Sequence, residues 1–230
     1  VVLDAGHGGE NKGALSDTGR YEKDIVLEVA LRIQRILRER TDVKVQLTRD
    51  SDRDISYSRR IGMANEEGAD LFISLHCNAA GNPLAEGVEV FVLSSAALAE
   101  ESQRLRGRLV APRGRLANAS DKASAAIVKD LFQVSAQGQA MTFAQVVKRW
   151  IVTSAGTVDR GVREGRSLVL RGAEMPAVLV ELGFVTHSEE ARRLDDPKHQ
   201  EKLAGAIVDA IIEFDAALPV SPGQSPIASH

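Results

Sequence analysis

The chain has 230 residues, enough for one well-buried core and short for two domains, so one domain carrying an insertion is the economical expectation. Its formal net charge of −3 excludes the global basic field of a nucleic-acid binder. The single cysteine, Cys77, excludes an internal disulfide or a thiolate metal site, and no apolar run approaches a membrane span or resembles a signal peptide.

In chain order, Val1 to Leu3 is a short apolar run that breaks at Ala5-Gly6-His7-Gly8-Gly9, as a buried strand does on entering a tight loop. The chain opens inside this strand, so a segment upstream is expected. From Lys23 to Arg40, apolar residues recur with a 3.6-residue rhythm through Ile25, Val26, Val29, Ala30, Ile33, Ile36 and Leu37, predicting a helix. Val43 to Leu47 alternates as a half-exposed strand, and Ser58 to Glu67 reads as a short helix closed by Gly68. Leu71–Leu75 and Val88–Leu93 are predicted strands, the second interrupted by Glu89.

The stretch from Ser94 to Lys148 holds no convincing strand. Arg104, Arg106, Arg108, Arg113 and Arg115 cluster in it as a solvated face or loop, and helical order is expected to return by about Thr142, with Phe143, Val146, Val147, Trp150 and Ile151 at helix spacing. Leu168–Leu170 and Ala177–Leu182 are predicted strands, and Lys202–Leu218 a helix. Residues 219–230, rich in Pro, Ser and Gly, read as a flexible tail. Strands alternating with helices predict a single three-layer α/β domain over residues 1–218, with a mixed, mostly parallel twisted sheet and a helical insertion at about 94–148.

Such a sheet gathers chemistry at the carboxyl ends of its strands. His7 and His76 each stand where an apolar strand ends, and Glu22 opens the long helix, where an acidic residue by default merely favours the helix dipole. Glu181 lies inside the apolar run Pro176-Ala177-Val178-Leu179-Val180-Glu181-Leu182, a costly place for a charge without a partner or a task. Two imidazoles and a carboxylate are the usual ligands of a hydrolytic zinc, with a spare glutamate as the base beside it. The expectation is a metal hydrolase. Cys77 follows His76 on a strand and so faces the other way, as a small buried hydrophobe.

Leu3-Asp4-Ala5-Gly6-His7-Gly8-Gly9, Glu22-Lys23-Asp24, Ser74-Leu75-His76-Cys77-Asn78 and Pro176 to Phe184 stand in an order that resembles the zinc-dependent N-acetylmuramoyl-L-alanine amidases of the bacterial cell wall. The resemblance runs from Val1 to about Leu218, interrupted by the Ser94–Lys148 region. It implies one Zn2+ per chain held by His7, Glu22 and His76, with Glu181 as the catalytic carboxylate. The implied reaction is hydrolysis of the amide between the lactyl group of N-acetylmuramic acid and the L-alanine of the stem peptide. It further implies a peptidoglycan or muropeptide substrate, export to the periplasm or cell envelope, and a monomer without nucleic-acid partner or membrane insertion.

In cell-division amidases of this type an inserted helix offers a glutamate to the zinc until an activator protein removes it. Arg115-Leu116-Ala117-Asn118-Ala119-Ser120-Asp121 is similar to part of that helix, but Ala117 stands where the blocking glutamate is expected. Glu100 and Glu101 are the candidate substitutes. His187 stands where a small polar residue is commoner in the family, and is expected to be a helix-cap neighbour rather than a fourth ligand. Arg60 and Asn78 are candidates for holding a muropeptide, though an arginine on a helix is more often solvated or salt-bridged. The other readings are a zinc carboxypeptidase-like peptidase, which would place a histidine and a glutamate close together in one motif, and a non-catalytic wall-binding module, which would have lost a ligand or Glu181.

Overall fold

The structure is a computed structural model that describes residues 1–100, 103 and 119–218, with only the backbone of 119–134. Six strands form one mixed sheet: β1 (Val2–Ala5), β2 (Gln46–Leu47), β3 (Phe72–Asn78), β4 (Val88–Leu93), β5 (Asp159–Gly165) and β6 (Ala177–Phe184), in the order β2-β1-β3-β6-β4-β5. The strands from β2 to β6 run parallel to their neighbours, whereas β4 is antiparallel to β6, and β5 is parallel to β4. The principal helices among the described residues are α1 (Glu22–Arg40), α2 (Tyr57–Glu66), α3 (Ala119–Ala155), α4 (Ser188–Asp195) and α5 (Pro197–Ala217), and residues 95–100 are also helical.

Side chains alternate across the strands and so divide the core in two. Leu3, Ala5, Ile73, Leu75, Cys77, Val178, Val180 and Leu182 face α1, α3 and α5. Val2, Phe72, Ala177 and Leu179 face Ile61 and Ala64 of α2 and the short 3-10 turn Leu168–Leu170. α3 meets the first face with Ala140, Phe143, Ala144, Val147 and Ile151, spaced for one helical stripe. Asp196 caps α5 by accepting from the Lys198 N–H, and Pro197 fits the first turn, where no N–H is needed.

The predicted architecture is present, with local corrections. Leu168–Leu170 is a 3-10 turn, not a strand, and the strand expected over Val43–Leu47 keeps only Gln46–Leu47, at the sheet edge. β5 is an edge strand of sequence Asp-Arg-Gly-Val-Arg-Glu-Gly, whose single large apolar residue carries no readable alternation. α4 was likewise unexpected, since most of its residues are charged. Helical order resumes by residue 119, well before Thr142, while Arg104, Arg106, Arg108, Arg113, Arg115 and the tail from 219 lie outside the described residues.

Candidate active site

Parallel strands β1 and β3 end side by side, and the loop after β1 swings His7 over the end of β3. His7 has a φ of 59°, the only positive value on a non-glycine residue among the described residues. For a side chain with a Cβ this costs about 1–2 kcal/mol and persists only where the surroundings enforce it. Two buried arginines do so. Arg49 donates to the carbonyls of Ala5, Gly6 and Lys23, and Arg60 donates to those of Ala5 and His7. Arg60 also pairs at 2.7 Å with Asp4, itself buried and bonded by the Thr48 and Ser74 hydroxyls. Arg60 is thus salt-bridged, but inside the protein, where it grips backbone and is not free to hold a substrate.

The imidazoles and Glu22 converge. His7 Nε2 and His76 Nδ1 each lie 3.0 Å from Glu22 Oε1, and the candidate ligand atoms of all three residues fall within 4.8 Å of one another. Glu22 does not project into solvent as a residue serving the helix dipole would. It is buried, and its carboxylate accepts from the backbone N–H groups of Cys77 and Ala14. His7 Nδ1 lies 2.8 Å from Asn11 Oδ1, an outer contact that fixes the ring and leaves Nε2 aimed at Glu22. Two glycines make the convergence possible. A Cβ on Gly6 would stand 2.5 Å from the His76 ring, and one on Gly13, whose φ is +68°, would stand 2.6 Å from Glu22 Oε2.

Glu181 sits opposite His76 in the β3–β6 register and opposite Glu89 in the β6–β4 register. Its Oε2 is buried and has no hydrogen-bond partner among the described residues. Burial, helped by the charges of Glu22 and Glu89 and opposed by the histidines, pushes its carboxyl up to about 7. Burial acts the same way on Glu22, but the hydrogen bonds and charges of His7 and His76 outweigh it and hold that carboxyl below the usual range. For His7, burial is overcome by contact with Glu22, and its pKa rises.

The donor set fits a divalent transition metal: two imidazole nitrogens and a carboxylate crowd one point, and the Glu181 oxygen without a partner among the described residues lies across from one of the candidate ligands. The structure thus brings together His7, Glu22 and His76, with Glu181 beside them. It places Glu100 elsewhere, paired at 3.0 Å with Arg166 and at 3.9 Å with Arg171; Glu101 and Ala117 lie outside the described residues. His187 caps α4, its Nδ1 accepting from the Glu190 N–H. Cys77 is buried in the core on the far face, and Asn78 donates to Glu89. Asn11, Gly13, Arg49 and Glu89 were not read as parts of the site. Only Glu89 had left a signal, as a charge inside an apolar strand.

Comparison with known proteins agrees with this geometry. The family model described as N-acetylmuramoyl-L-alanine amidase matches residues 1–213. The N-acetylmuramoyl-L-alanine amidase AmiA of Escherichia coli (strain K12) is 33% identical over 218 residues, covering 93% of this chain and 75% of AmiA. The endolysin of Bacillus phage SPP1 is 32% identical over 226 residues, covering 98% of this chain and 69% of the endolysin. The crystal structure of an N-acetylmuramoyl-L-alanine amidase from Clostridium difficile 630 superposes with a TM-score of 0.74 at 30% identity, covering 95% of this chain and 97% of that one. With a match along nearly its whole length and the same α/β fold, the chain belongs to the N-acetylmuramoyl-L-alanine amidase family, hydrolases of the peptidoglycan amide.

Proposed function

We propose that the chain is a zinc enzyme that hydrolyses the amide between the N-acetylmuramic acid lactyl group and the L-alanine of the stem peptide, with His7, Glu22 and His76 as ligands and Glu181 as proton carrier. The observation that carries this reading is the buried Oε2 of Glu181, opposite His76 and without a hydrogen-bond partner among the described residues. A zinc ion bound by the three ligands would supply Lewis-acid activation of water and of the scissile carbonyl. Glu181 takes a proton from the attacking water as the carbon–oxygen bond forms. It then returns that proton to the alanine nitrogen as the carbon–nitrogen bond breaks, leaving a lactyl carboxylic acid and a free amino terminus. Burial raises this carboxyl in the metal-free protein, the direction that suits one group for both taking and returning a proton near neutral pH. Asn11 holds the His7 ring, and the Cys77 and Ala14 N–H groups hold Glu22, so neither ligand has to reorganise.

The reading places the enzyme in the cell envelope, where its substrate lies; no helix among the described residues is long and apolar enough to cross a membrane. It also includes a partner protein acting on the 94–148 insertion, which is supported by the insertion's place in the chain between β4, which pairs with β6 at Glu181, and the edge strand β5. Deleting residues 97–121 should raise wall-lytic activity if that segment restrains the site; unchanged activity in a folded deletion protein would remove the regulatory part.

The central test pairs elemental analysis of wild type and Glu181→Ala with release of stem peptide from purified peptidoglycan. We expect one zinc per chain in both proteins and new L-alanine amino termini from wild type alone. Absence of zinc from wild type at neutral pH would overturn the ligand assignment.

A further inference from the structure

Beside Glu181 lies a charged cluster that the reaction above leaves unused. Glu89 is buried on β4, directly opposite Glu181, and Asn78 donates to its Oε2 at 3.1 Å. Its Oε1 receives two arginines from β5, with Arg160 Nε at 3.2 Å and Arg163 Nε at 2.7 Å. Arg160 is further fixed by the Glu86 carbonyl and lies over the Phe184 ring, 4.8 Å from its centroid. Arg163 differs: its side chain is 52% exposed, and neither terminal nitrogen has a hydrogen-bond partner among the described residues.

Two guanidinium groups thus share one carboxylate, which leaves a positive charge over. The exposed one is held beside Glu89 by an ion pair at Nε, which keeps its two-pronged end near the site. Such an end matches a carboxylate in shape and charge. Adjacent strands lie about 5 Å apart and a residue of extended peptide spans about 3.5 Å. Arg163 stands opposite Phe91, two residues from the level of Glu89, and reaches Glu89 through its side chain. One strand spacing from Glu181 to Glu89 and the ion pair beyond it put the guanidinium about 8 Å from Glu181, the length of two to three residues of extended peptide.

Resting on the function proposed above, we propose that Arg163, oriented by Glu89 and backed by Arg160, is a specificity residue that recognises a free carboxylate on the stem peptide just beyond the departing L-alanine. The zinc ligands and Glu181 act on the bond itself; Arg163 sets which stem peptides are presented to it.

The test compares kcat/KM on two muramoyl tripeptides in which the γ-carboxyl of the second residue is engaged in the next peptide bond, and which differ only in that this residue's α-carboxyl is free (D-isoglutamate) in one and an amide (D-isoglutamine) in the other. Wild type should prefer the acid by about tenfold, the value of one exposed charge-assisted contact. Arg163→Gln should bring the ratio close to one, and Arg163→Lys should restore part of it. A purely structural role would lower both substrates together and leave the ratio unmoved. Equal use of the two by wild type, or an unchanged ratio in Arg163→Gln, overturns the assignment while amidase activity stands. Cleavage of neither by zinc-loaded wild type overturns the parent reading as well.

Discussion

At the scale of single residues, Glu181 carries a cost that its position explains. A buried carboxyl raised to about 7 means that, without metal, the fold binds a proton more tightly than the unfolded chain does. Its stabilising effect is fully present below the ordinary glutamate pKa and is lost as pH rises through about 7. Glu181→Gln removes this titration. Metal-free Glu181→Gln should therefore gain on metal-free wild type as pH increases, by about 1–3 kcal/mol at pH 8 against little at pH 4. Chemical denaturation across that range checks it, and a gap independent of pH would refute it. Three of the four candidate site residues were legible because each breaks a local rule, the histidines at strand exits and Glu181 as a charge in an apolar strand; Glu22, ordinary at a helix start, was singled out by the family resemblance. Asn11 and Arg49 break none. An asparagine in a glycine-rich loop and an arginine after a short strand are ordinary in sequence, and their roles arise only from carbonyls and rings brought to them by other elements.

At the scale of elements, the loop joining β1 to α1 is as much a part of the candidate site as the proposed ligand it carries. Gly13 combines a left-handed φ of +68° with a Cβ position 2.6 Å from Glu22 Oε2 and 2.8 Å from the His7 ring. Gly13→Ala should displace one ligand or the other and weaken zinc binding by at least about tenfold, since small outer changes at metal sites cost about 10- to 100-fold. Competition with a chelating dye measures this, and an unchanged affinity in the folded variant would count against the tight cradle. α5 supplies a second case. His199 is buried near its start, and burial, with Arg193 and Lys202 adding to it, lowers its pKa to about 4. The unfolded chain takes up that proton near the ordinary histidine value while the fold refuses it, so stability is present above about pH 6.5 and is lost as pH falls toward 4. His199→Asn should flatten the fall in stability over this window, and a parallel pH profile would refute the cause. Elements with strong periodicity, such as α1 and α5, were readable to within a few residues. The edge strand β5 and the charged helix α4 were not, because β5 is paired on one side only and α4 buries just Ala191 and Leu194 among its apolar residues, too few to show a period.

At the scale of the whole molecule, the proposed ligands join three separate parts of the chain. His7 comes from the loop after β1, Glu22 from the first turn of α1 and His76 from the end of β3. The sheet brings β1 and β3 together, Arg49 and Arg60 hold the loop backbone, and the contacts among the proposed ligands join loop, α1 and β3 at one further point. A zinc ion bound to the folded protein and not to the unfolded chain therefore stabilises the whole by mass action. At a free concentration a thousand times the dissociation constant this amounts to about 4 kcal/mol. For a domain of this size each kcal/mol moves the midpoint by about 2–4 °C. Chelation should thus lower Tm by about 8–16 °C at fixed pH and ionic strength, and added zinc should restore it. Glu181→Gln, which keeps all three ligands, should show nearly the full shift, whereas His76→Ala should start low and respond little to zinc. This contrast separates binding from turnover, because Glu181→Gln lacks the second while retaining the first. A Tm of wild type insensitive to chelation, in protein shown to have lost its metal, would mean that the three ligands meet without supporting one another and that the sheet and the Arg49 and Arg60 contacts hold the loop alone.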